Sequence, residues 1–222
     1  MSVSEDRTVQ PTTVAPATGI ADPAPLGLAA FALTTFLLSA KNANWMSHAT
    51  GSAWLGYAFA YGGFIQLLAG MWEFRNRNVF GATAFSTYGG FWIGLGLWVQ
   101  LVVNPAVAAA RPATLAATVT ALNHDLGWIL LAFAIFNTYM LILSAQVNIA
   151  VFGVFLTLEI TEIILCIGNF TAGTALNPTT TIKIGGYVGL ITALVAWYAS
   201  AAGVSNGIAG KLRFPVGRPL LS

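Results

Sequence analysis

The chain has 222 residues, of which 57% are hydrophobic and only 7% are charged, and its formal net charge is +2. A soluble globular domain usually carries about 25% charged residues, so a soluble fold would leave this chain without enough polar surface. The small net charge and the lack of a basic run give no basis for nucleic-acid binding. The composition therefore predicts an all-α integral membrane protein with a single membrane domain.

The first part of the chain differs from the rest. Residues 1–21 are rich in Ser, Thr, Pro, Val and Ala, with no apolar core and no basic stretch before one. Those two features mark a cleaved signal peptide, so their absence favours a disordered polar tail. We expect the membrane domain to span residues 22–205 and a second tail to follow at residues 206–222.

Six windows of the sequence are long and apolar enough to cross a bilayer, which takes roughly 20 residues of helix. The windows are Leu26–Ala40, Ala53–Trp72, Ala84–Val103, Leu126–Ala145, Val147–Gly168 and Ile184–Gly203. The sequence therefore predicts a bundle of six transmembrane helices. Because Gln146 and its neighbours are the only polar residues between windows four and five, a tight hairpin is expected there.

The Lys and Arg residues near the helix ends predict the orientation of the bundle. With six spans both termini lie on one side, and that side receives Arg7, Arg75, Arg77, Lys211, Arg213 and Arg218. The other side receives Lys41, Arg111 and Lys183. Since cytoplasmic loops carry the excess of Lys and Arg, we expect a multi-pass protein of the cell membrane with both termini in the cytoplasm.

The first window opens with a candidate entrance for anions. Proline suits the first turn of a helix, which has no partner for an N–H in any case, and Asp22 can cap the start. The unpaired amides and the positive end of the helix dipole attract anions. The candidate entrance consists of Asp22, Pro23, Ala24, Pro25 and Leu26.

Helical periodicity gathers polar residues on one face of each of the first two windows. In window two, Gln66 lies near the middle of the membrane and is costly there unless it faces a partner or water. In window one, a single stripe holds Gly27, Phe31, Thr34, Thr35, Leu38 and Asn42. We therefore predict that Gly27, Thr34, Thr35 and Gln66 line a substrate path.

The third helix is expected to begin before its window, with hydroxyl, aromatic and glycine residues over Phe80–Gly90. A helix that faces lipid alone does not need hydroxyl groups. Ser86 and Thr87 are therefore candidates for the same path, and the alternative is that their hydroxyls bond to the backbone of their own helix.

Window five carries two carboxyl groups. Leu158, Glu162 and Asn169 fall within a sector of roughly 60°, and Glu159 lies at the edge of that sector. Two charged carboxylates one turn apart in a membrane repel each other, so at least one is expected to carry a proton. We assign Glu162 and Asn169 to the path, whereas Glu159 fits a subunit contact or a wet vestibule.

These residues resemble a known family, the succinate–acetate permeases, also called the YaaH family of acetate transporters. Asp22–Leu28 resembles the family signature Asn-Pro-Ala-Pro-Leu-Gly-Leu, with Asp22 in place of Asn. Tyr61–Gln66 and Phe80–Trp92 are similar to the motifs of the second and third helices. Ile167–Asn169 and Ala196–Tyr198 fit the later helices, so the resemblance extends from Asp22 to the C-terminus.

The resemblance implies a homohexamer in which each protomer has its own pore, with no cofactor and no metal. It also implies a hydrophobic constriction, which falls on Phe31, Tyr88 and Leu158. Thr34, Gln66 and Asn169 correspond to polar positions along the family's path. Glu162 departs from the family, because we expect an apolar residue at that position.

The function that follows is passage of acetate, with other short carboxylates such as succinate as further candidates, by a channel or a proton-coupled carrier. A charged Glu162 would oppose an anion by roughly 4 kcal/mol at 4 Å and an effective dielectric of 20. We therefore expect Glu162→Gln to flatten the pH dependence of acetate flux.

Two other classes of protein are alternatives. One is a membrane sensor or adaptor that binds carboxylates without passing them. The other is an intramembrane enzyme that uses Glu159, Glu162, His124 and Asp125. The enzyme is disfavoured because the sequence has no His-Glu-x-x-His motif, and its two histidines, His48 and His124, are predicted in loops.

Overall fold

The computed structural model describes residues 19–47 and 52–221, and within these ranges all regular secondary structure is helical. The helices, in chain order, are α1 (Ala24–Asn42), α2 (Ala53–Phe59, Ala60–Ile65 and Gln66–Arg75), α3 (Val79–Ala109), α4 (Pro112–Ser144), α5 (Ile149–Thr171) and α6 (Thr180–Ala209). All of them except α2 are long and apolar enough, as continuous helices, to cross a membrane.

Helix α2 differs because its middle segment, Ala60–Ile65, is a π-helix. A π-helical turn bonds each residue to the fifth along the chain and usually adds one residue to an α-helix. Glycine fits this segment, because a Cβ at Gly62 would overlap Thr34 of α1 and a Cβ at Gly63 would overlap the carbonyl of Ala58. Helix α3 contains a second π-helical turn at Val99–Val103.

The helices pack as a ring. Helix α1 lies between α2 and α6, α5 lies between α4 and α6, and α3 packs on α2. Close approach of α6 to α1 depends on small residues, since a Cβ at Gly186 would overlap the backbone at Ala43. The contact between α3 and α4, which closes the ring, is the thinnest of these.

The chain alternates in direction from one helix to the next. The start of α1, the α4–α5 hairpin and the end of α6 therefore lie at one end of the bundle, which we call the terminal end. The α1–α2, α3–α4 and α5–α6 connections lie at the opposite end. The predicted hairpin between windows four and five is present, and Asn148 caps α5 by accepting a hydrogen bond from the Val151 amide at 2.9 Å.

The segment expected to be a loop between windows three and four is helical instead. Helix α3 continues to Ala109, and α4 begins at Pro112 rather than at Leu126. His124, predicted in a loop, is therefore a residue of α4, and His48 lies outside the described residues. The reason is that the start of α4 is rich in alanine and its threonine hydroxyls bond back to the helix, so it is helical without being strongly apolar.

The C-terminal segment folds back onto the terminal end. Helix α6 ends at Gly210, whose φ of 60° lies in the left-handed region that favours glycine. Beyond it, the carbonyl of Val216 accepts a hydrogen bond from the Ala150 amide at 2.9 Å, and the Leu220 amide donates to Ala145 at 2.7 Å. These bonds hold residues 216–220 against the α4–α5 hairpin.

Candidate functional site

A cavity of about 600 Å³ lies within the opposite half of the bundle. Its walls come chiefly from α1, α3, α4 and α5, with Trp54 of α2, Ile182 of α6 and residues 175–178 of the α5–α6 connection completing the lining. Because it lies beside the thin contact between α3 and α4, the cavity follows from the packing of the ring. We call its outer rim, which includes Asn42, Asn104, Asn123 and Asn177, the mouth.

The inner end of the cavity is formed by Phe31, Tyr88 and Leu158, which we call the neck. Each of these is the lining residue of its helix that lies farthest from the mouth. All three are buried, and the rings of Phe31 and Tyr88 meet edge to face with centroids 5.7 Å apart. The structure thus brings together the three residues predicted to form the constriction, and their role as one stays a prediction.

On the terminal side of the neck, aromatic rings fill the interior. The rings of Phe80 and Phe155 meet with centroids 5.2 Å apart, and Phe136 lies 5.5 Å from the ring of Tyr88. Leu28 and Phe85 belong to the same buried cluster. The neck is therefore the boundary between a cavity and an apolar core.

Three of the predicted path residues line the cavity, namely Thr35, Glu162 and Asn169. On α5 the lining residues include Leu158, Glu162, Leu165 and Asn169, so the stripe predicted from helical periodicity faces the cavity as a unit. The Asn169 amide donates a hydrogen bond to the carbonyl of Leu165 at 2.8 Å, which leaves its oxygen available to other groups.

Other predicted path residues lie at contacts between helices. Thr34 packs on Gly62 of α2, and its hydroxyl lies within hydrogen-bonding distance of the Ala30 carbonyl at 3.2 Å and the Tyr57 carbonyl at 3.4 Å. Since adjacent helical residues point about 100° apart, Thr35 faces the cavity and Thr34 faces α2. Gly27 lies against the ring of Phe85.

The path residues predicted on α2 and α3 do not line the cavity either. Ser86 packs against Gly70 of α2. Gln66 is buried, and its side-chain oxygen has no hydrogen-bond partner among the described residues. Thr87, like these two, is not part of the lining.

The predicted anion entrance lies at the terminal end, on the far side of the neck from the mouth. Helix α1 begins at Ala24, and its N-cap residue is Pro23, which provides no side-chain cap. Asp22, predicted to cap the helix, lies one residue earlier, and its carboxylate accepts a hydrogen bond from the Ala24 amide at 3.0 Å. Pro23 is buried while Leu26 is exposed. The Pro25 carbonyl accepts a hydrogen bond from Ser200 of α6 at 2.6 Å, which holds the start of α1 in place.

The cavity also contains a cation, Lys41, that was not predicted as a site residue. Lys41 is the one positively charged side chain among the described residues that line it, and its ammonium lies 5.6 Å from the ring centroid of Trp54. The signal was available, because Lys41 lies near the end of the stripe that carries Phe31, Thr35 and Leu38. A cation near the mouth raises the local concentration of anions.

Asn137 of α4, which is fully buried beside the neck, was likewise not predicted as a site residue. Its amide nitrogen donates hydrogen bonds to the carbonyl of Phe155 at 3.0 Å and to the carboxylate of Glu159 at 2.7 Å. Its oxygen accepts one from the Tyr88 hydroxyl at 2.9 Å. A second donor to Glu159 is the hydroxyl of Thr138, at 2.8 Å. An Asn in the middle of an apolar window is the signal that could have identified this group.

The fold and the cavity define a class: a helical membrane protein whose bundle holds a cavity with an apolar neck and, among the described lining residues, one cation near its mouth. Among the described residues there is no group of His, Cys, Asp and Glu suited to hold a metal ion.

The model of the GPR1/FUN34/yaaH family matches residues 6–217, and the chain belongs to this family. The resemblance drawn from the sequence motifs is thereby confirmed.

Three relatives illustrate the range of the family. The chain is 39% identical to acetate permease A of Emericella nidulans, covering 88% of this chain and 65% of the relative. It is 35% identical to ammonia transport outward protein 2 of Saccharomyces cerevisiae, covering 86% and 64%. It is 32% identical to the succinate-acetate/proton symporter SatP of Escherichia coli, covering 90% and 97%. The chain thus spans slightly less than two thirds of the length of these two fungal relatives.

A solved structure described as the bacterial acetate channel SatP has a similar fold. Its TM-score is 0.74 at 30% sequence identity, over 89% of this chain and 99% of that chain. The helical architecture described above is therefore that of a membrane channel of known structure.

Proposed function

We propose that the protein passes acetate and other short carboxylates across the cell membrane, through the cavity and the neck. The observation that carries this proposal is the meeting of Phe31, Tyr88 and Leu158 at the inner end of a cavity that holds Lys41. The names of the relatives from Emericella nidulans and Escherichia coli support the same cargo.

The lining suggests how a small anion would be handled. Lys41 would attract it, and the amides of the mouth would replace part of its water shell. Thr35 and Asn169 would continue this polar lining toward the neck. The apolar side chains of Phe31 and Leu158 would then exclude larger or strongly hydrated solutes.

We further propose that α2 is the sixth transmembrane span. Its three segments together rise by roughly 34 Å at 1.5 Å per residue, which exceeds the approximately 30 Å of the hydrocarbon core. Six spans would place both termini on one side, which we take to be the cytoplasm. Protease protection of tags at the two termini in sealed vesicles would test this topology.

We also propose that the protein is a homohexamer with one pore in each protomer. The cavity and the neck are formed within one chain, which supports one pore in each protomer. The number of six protomers is what the resemblance to the family implies. Native mass spectrometry of the detergent-extracted protein would test the assembly, and a monomer or dimer would contradict it.

The two alternatives make different predictions. For an intramembrane enzyme, His124 and Asp125 would have to approach Glu159 and Glu162. His124 lies 13 positions before Asn137 on the same helix, a rise of roughly 20 Å, and Asn137 is the residue that contacts Glu159. We therefore propose that the protein is not an enzyme. A sensor or adaptor would bind acetate without passing it.

Uptake of radiolabelled acetate into proteoliposomes tests the function. We expect uptake well above that of protein-free liposomes, saturable and competed by unlabelled acetate. Accumulation above equilibrium under an imposed proton gradient would identify a carrier, and equilibration alone would identify a channel. Ammonium flux without acetate flux, or acetate binding without flux, would contradict the proposal.

The variant Glu162→Gln tests the role of the carboxyl group in the path. In the unmodified protein, acetate flux is expected to fall as the pH rises, because an ionised Glu162 repels the anion. The variant should show a flat pH profile. An unchanged profile would remove Glu162 from the mechanism.

A further inference from the structure

The two carboxyl groups of α5 have very different partners. Glu159 accepts two short hydrogen bonds, from the Asn137 amide at 2.7 Å and from the Thr138 hydroxyl at 2.8 Å. Glu162 has one contact through Oε1, at 3.3 Å from the Tyr88 hydroxyl, and its Oε2 has no partner among the described residues. Donors of this number and length are those that stabilise an ionised carboxylate, and Glu162 lacks them.

The orientation of Asn137 determines where the Tyr88 hydrogen goes. The Asn137 nitrogen faces two acceptors, the Phe155 carbonyl and the Glu159 carboxylate. If the amide were reversed, its oxygen would face both of them, so the oxygen must be the atom that faces Tyr88. An amide oxygen can accept but not donate, and the Tyr88 hydroxyl therefore donates to Asn137 at 2.9 Å.

Because the Tyr88 hydroxyl donates to Asn137, it can donate little to Glu162. The Tyr88 hydroxyl has a single hydrogen, and Asn137 is the closer acceptor. The contact with Glu162 at 3.3 Å is at most the weaker branch of a shared bond. An ionised Glu162, which is only 4% exposed, would then be a buried charge with almost no donor.

Other groups that face Glu162 do not supply a positive charge. Helix α6 brings Thr192, whose hydroxyl is paired with that of Thr161 at 3.1 Å. Helix α3 brings the Tyr88 hydroxyl, and α4 brings Asn137, which is bonded to Tyr88. Phe31 and Leu158 both lie at the neck, so the helical rise from each of them gives the depth of a residue in the cavity. By this measure Lys41 of α1 lies about 9 Å nearer the mouth than Glu162. Among the described residues, the charged group that acts on Glu162 is the carboxylate of Glu159, on the same helix.

We propose that Glu159 is ionised, that Glu162 holds a proton, and that the Glu162 carboxyl is the group that binds the carboxylate of the cargo at the neck. A proton on Oε1 faces only the Tyr88 oxygen at 3.3 Å, and a proton on Oε2 faces no acceptor among the described residues. The oxygen of a carboxylate is a much stronger acceptor for that O–H than the phenol oxygen. The bound state is then a carboxylic acid paired with a carboxylate, which share one proton. This inference rests on the proposed function for the identity of the cargo.

The pairing has a consequence for selectivity. Acetamide has nearly the shape of acetate but no charge, so it offers a weaker acceptor to the Glu162 O–H. We expect acetate to be preferred over acetamide at the site by about tenfold, which corresponds to the difference between a charge-assisted and a neutral hydrogen bond.

Infrared difference spectroscopy of the full-length protein in liposomes tests the protonation. A protonated-carboxyl C=O band should be present at neutral pH and should shift when acetate, but not acetamide, is added. The band should be absent in Glu162→Gln and retained in Glu159→Gln. Asp125→Asn, which changes an exposed carboxylate of α4, is the matched control and should leave the band and the flux unchanged.

Acetate flux in the same liposomes tests the binding role. Glu162→Gln keeps a donor and should retain flux at acidic pH within about threefold, whereas Glu162→Met removes the donor and should lose about tenfold or more. A band that persists in Glu162→Gln, or full flux in Glu162→Met, would overturn the inference.

Failure of the proposed function is distinguishable from failure of this inference. Unmodified protein that shows the Glu162 band without acetate flux would refute acetate passage alone. Flux without such a band would refute the protonated Glu162 alone.

Discussion

The two halves of the bundle, on either side of the neck, are built from the same helices and yet are packed in different ways. On the side of the mouth, α3 and α4 diverge and leave a cavity of about 600 Å³ with Lys41 in its wall. On the terminal side, aromatic rings join α3 to its neighbours, since Phe80 meets Phe155 of α5 and Tyr88 meets Phe136 of α4. The difference shows that access to the neck is one-sided in this conformation.

This asymmetry means that passage requires a rearrangement on the terminal side. The rings there contact one another edge to face, a geometry that side-chain rotation can change without moving a helix. The cavity half needs no such change, because its lining already reaches the neck. A variant in the terminal half should therefore affect stability, and a variant in the cavity half should affect flux.

The largest effect is expected from Phe155→Ala, in the half on the terminal side of the neck, which we call the closed half. Removing a buried ring that packs on Phe80 should lower the free energy of unfolding by about 3–5 kcal/mol. Thermal unfolding in detergent, followed by tryptophan fluorescence, would measure the loss. Phe74→Ala, at a side chain that is 56% exposed, is the matched control and should change stability by less than about 1 kcal/mol.

The second largest effect is expected from Asn137→Leu, at the boundary between the two halves. It removes the donor to Glu159 and the acceptor for Tyr88 at once, and should cost about 2–3 kcal/mol of stability. It should also reduce flux, since Tyr88 loses the bond that positions its ring. Normal stability in the same thermal assay would show that the network does not hold the neck.

Leu158→Ala should widen the neck without opening the closed half. The expected result is an increase of about tenfold in the uptake of butyrate relative to acetate, because selection by an apolar wall is worth roughly this factor per methylene removed. Competition uptake in proteoliposomes measures the ratio. If the ratio stays the same, Leu158 does not limit the width of the path.

Lys41→Gln, near the mouth, should have the smallest effect. Acetate uptake at low ionic strength is expected to fall by about threefold, and the difference should fade in high salt, where surface charges are screened. Lys183→Gln is the matched control, because Lys183 does not line the cavity. Equal losses in both variants would mean that general surface charge, rather than Lys41, attracts the anion.

The parts of the site that the sequence could predict are those on a regular helix with one polar face. The stripe from Leu158 to Asn169 on α5 is of this kind, and it lines the cavity as expected. Periodicity could not separate Thr34 from Thr35, because a stripe wide enough to include one includes the other. The choice between them depends on where α2 packs, which is a tertiary property.

Asn137 and Lys41 were missed for a different reason. Their roles depend on partners distant in sequence, Tyr88 for Asn137 and Trp54 for Lys41. The early start of α4 was missed because hydropathy detects contact with lipid, whereas a helix can continue beyond the membrane.

The π-helical turn of α2 has a consequence for the alignment of its faces. The buried residues Trp54, Ala58, Gly62 and Gln66 follow one another at intervals of four. In a uniform α-helix each such interval would turn the face by about 40°, so Gln66 would lie about 120° away from Trp54. The wider turn at Ala60–Ile65 absorbs this drift. Deleting one residue from this segment should rotate the rest of α2 and turn Gln66 and Glu73 away from the interior. The length of the segment therefore determines which residues of α2 face inward, and a substitution that keeps the length cannot produce the same rotation.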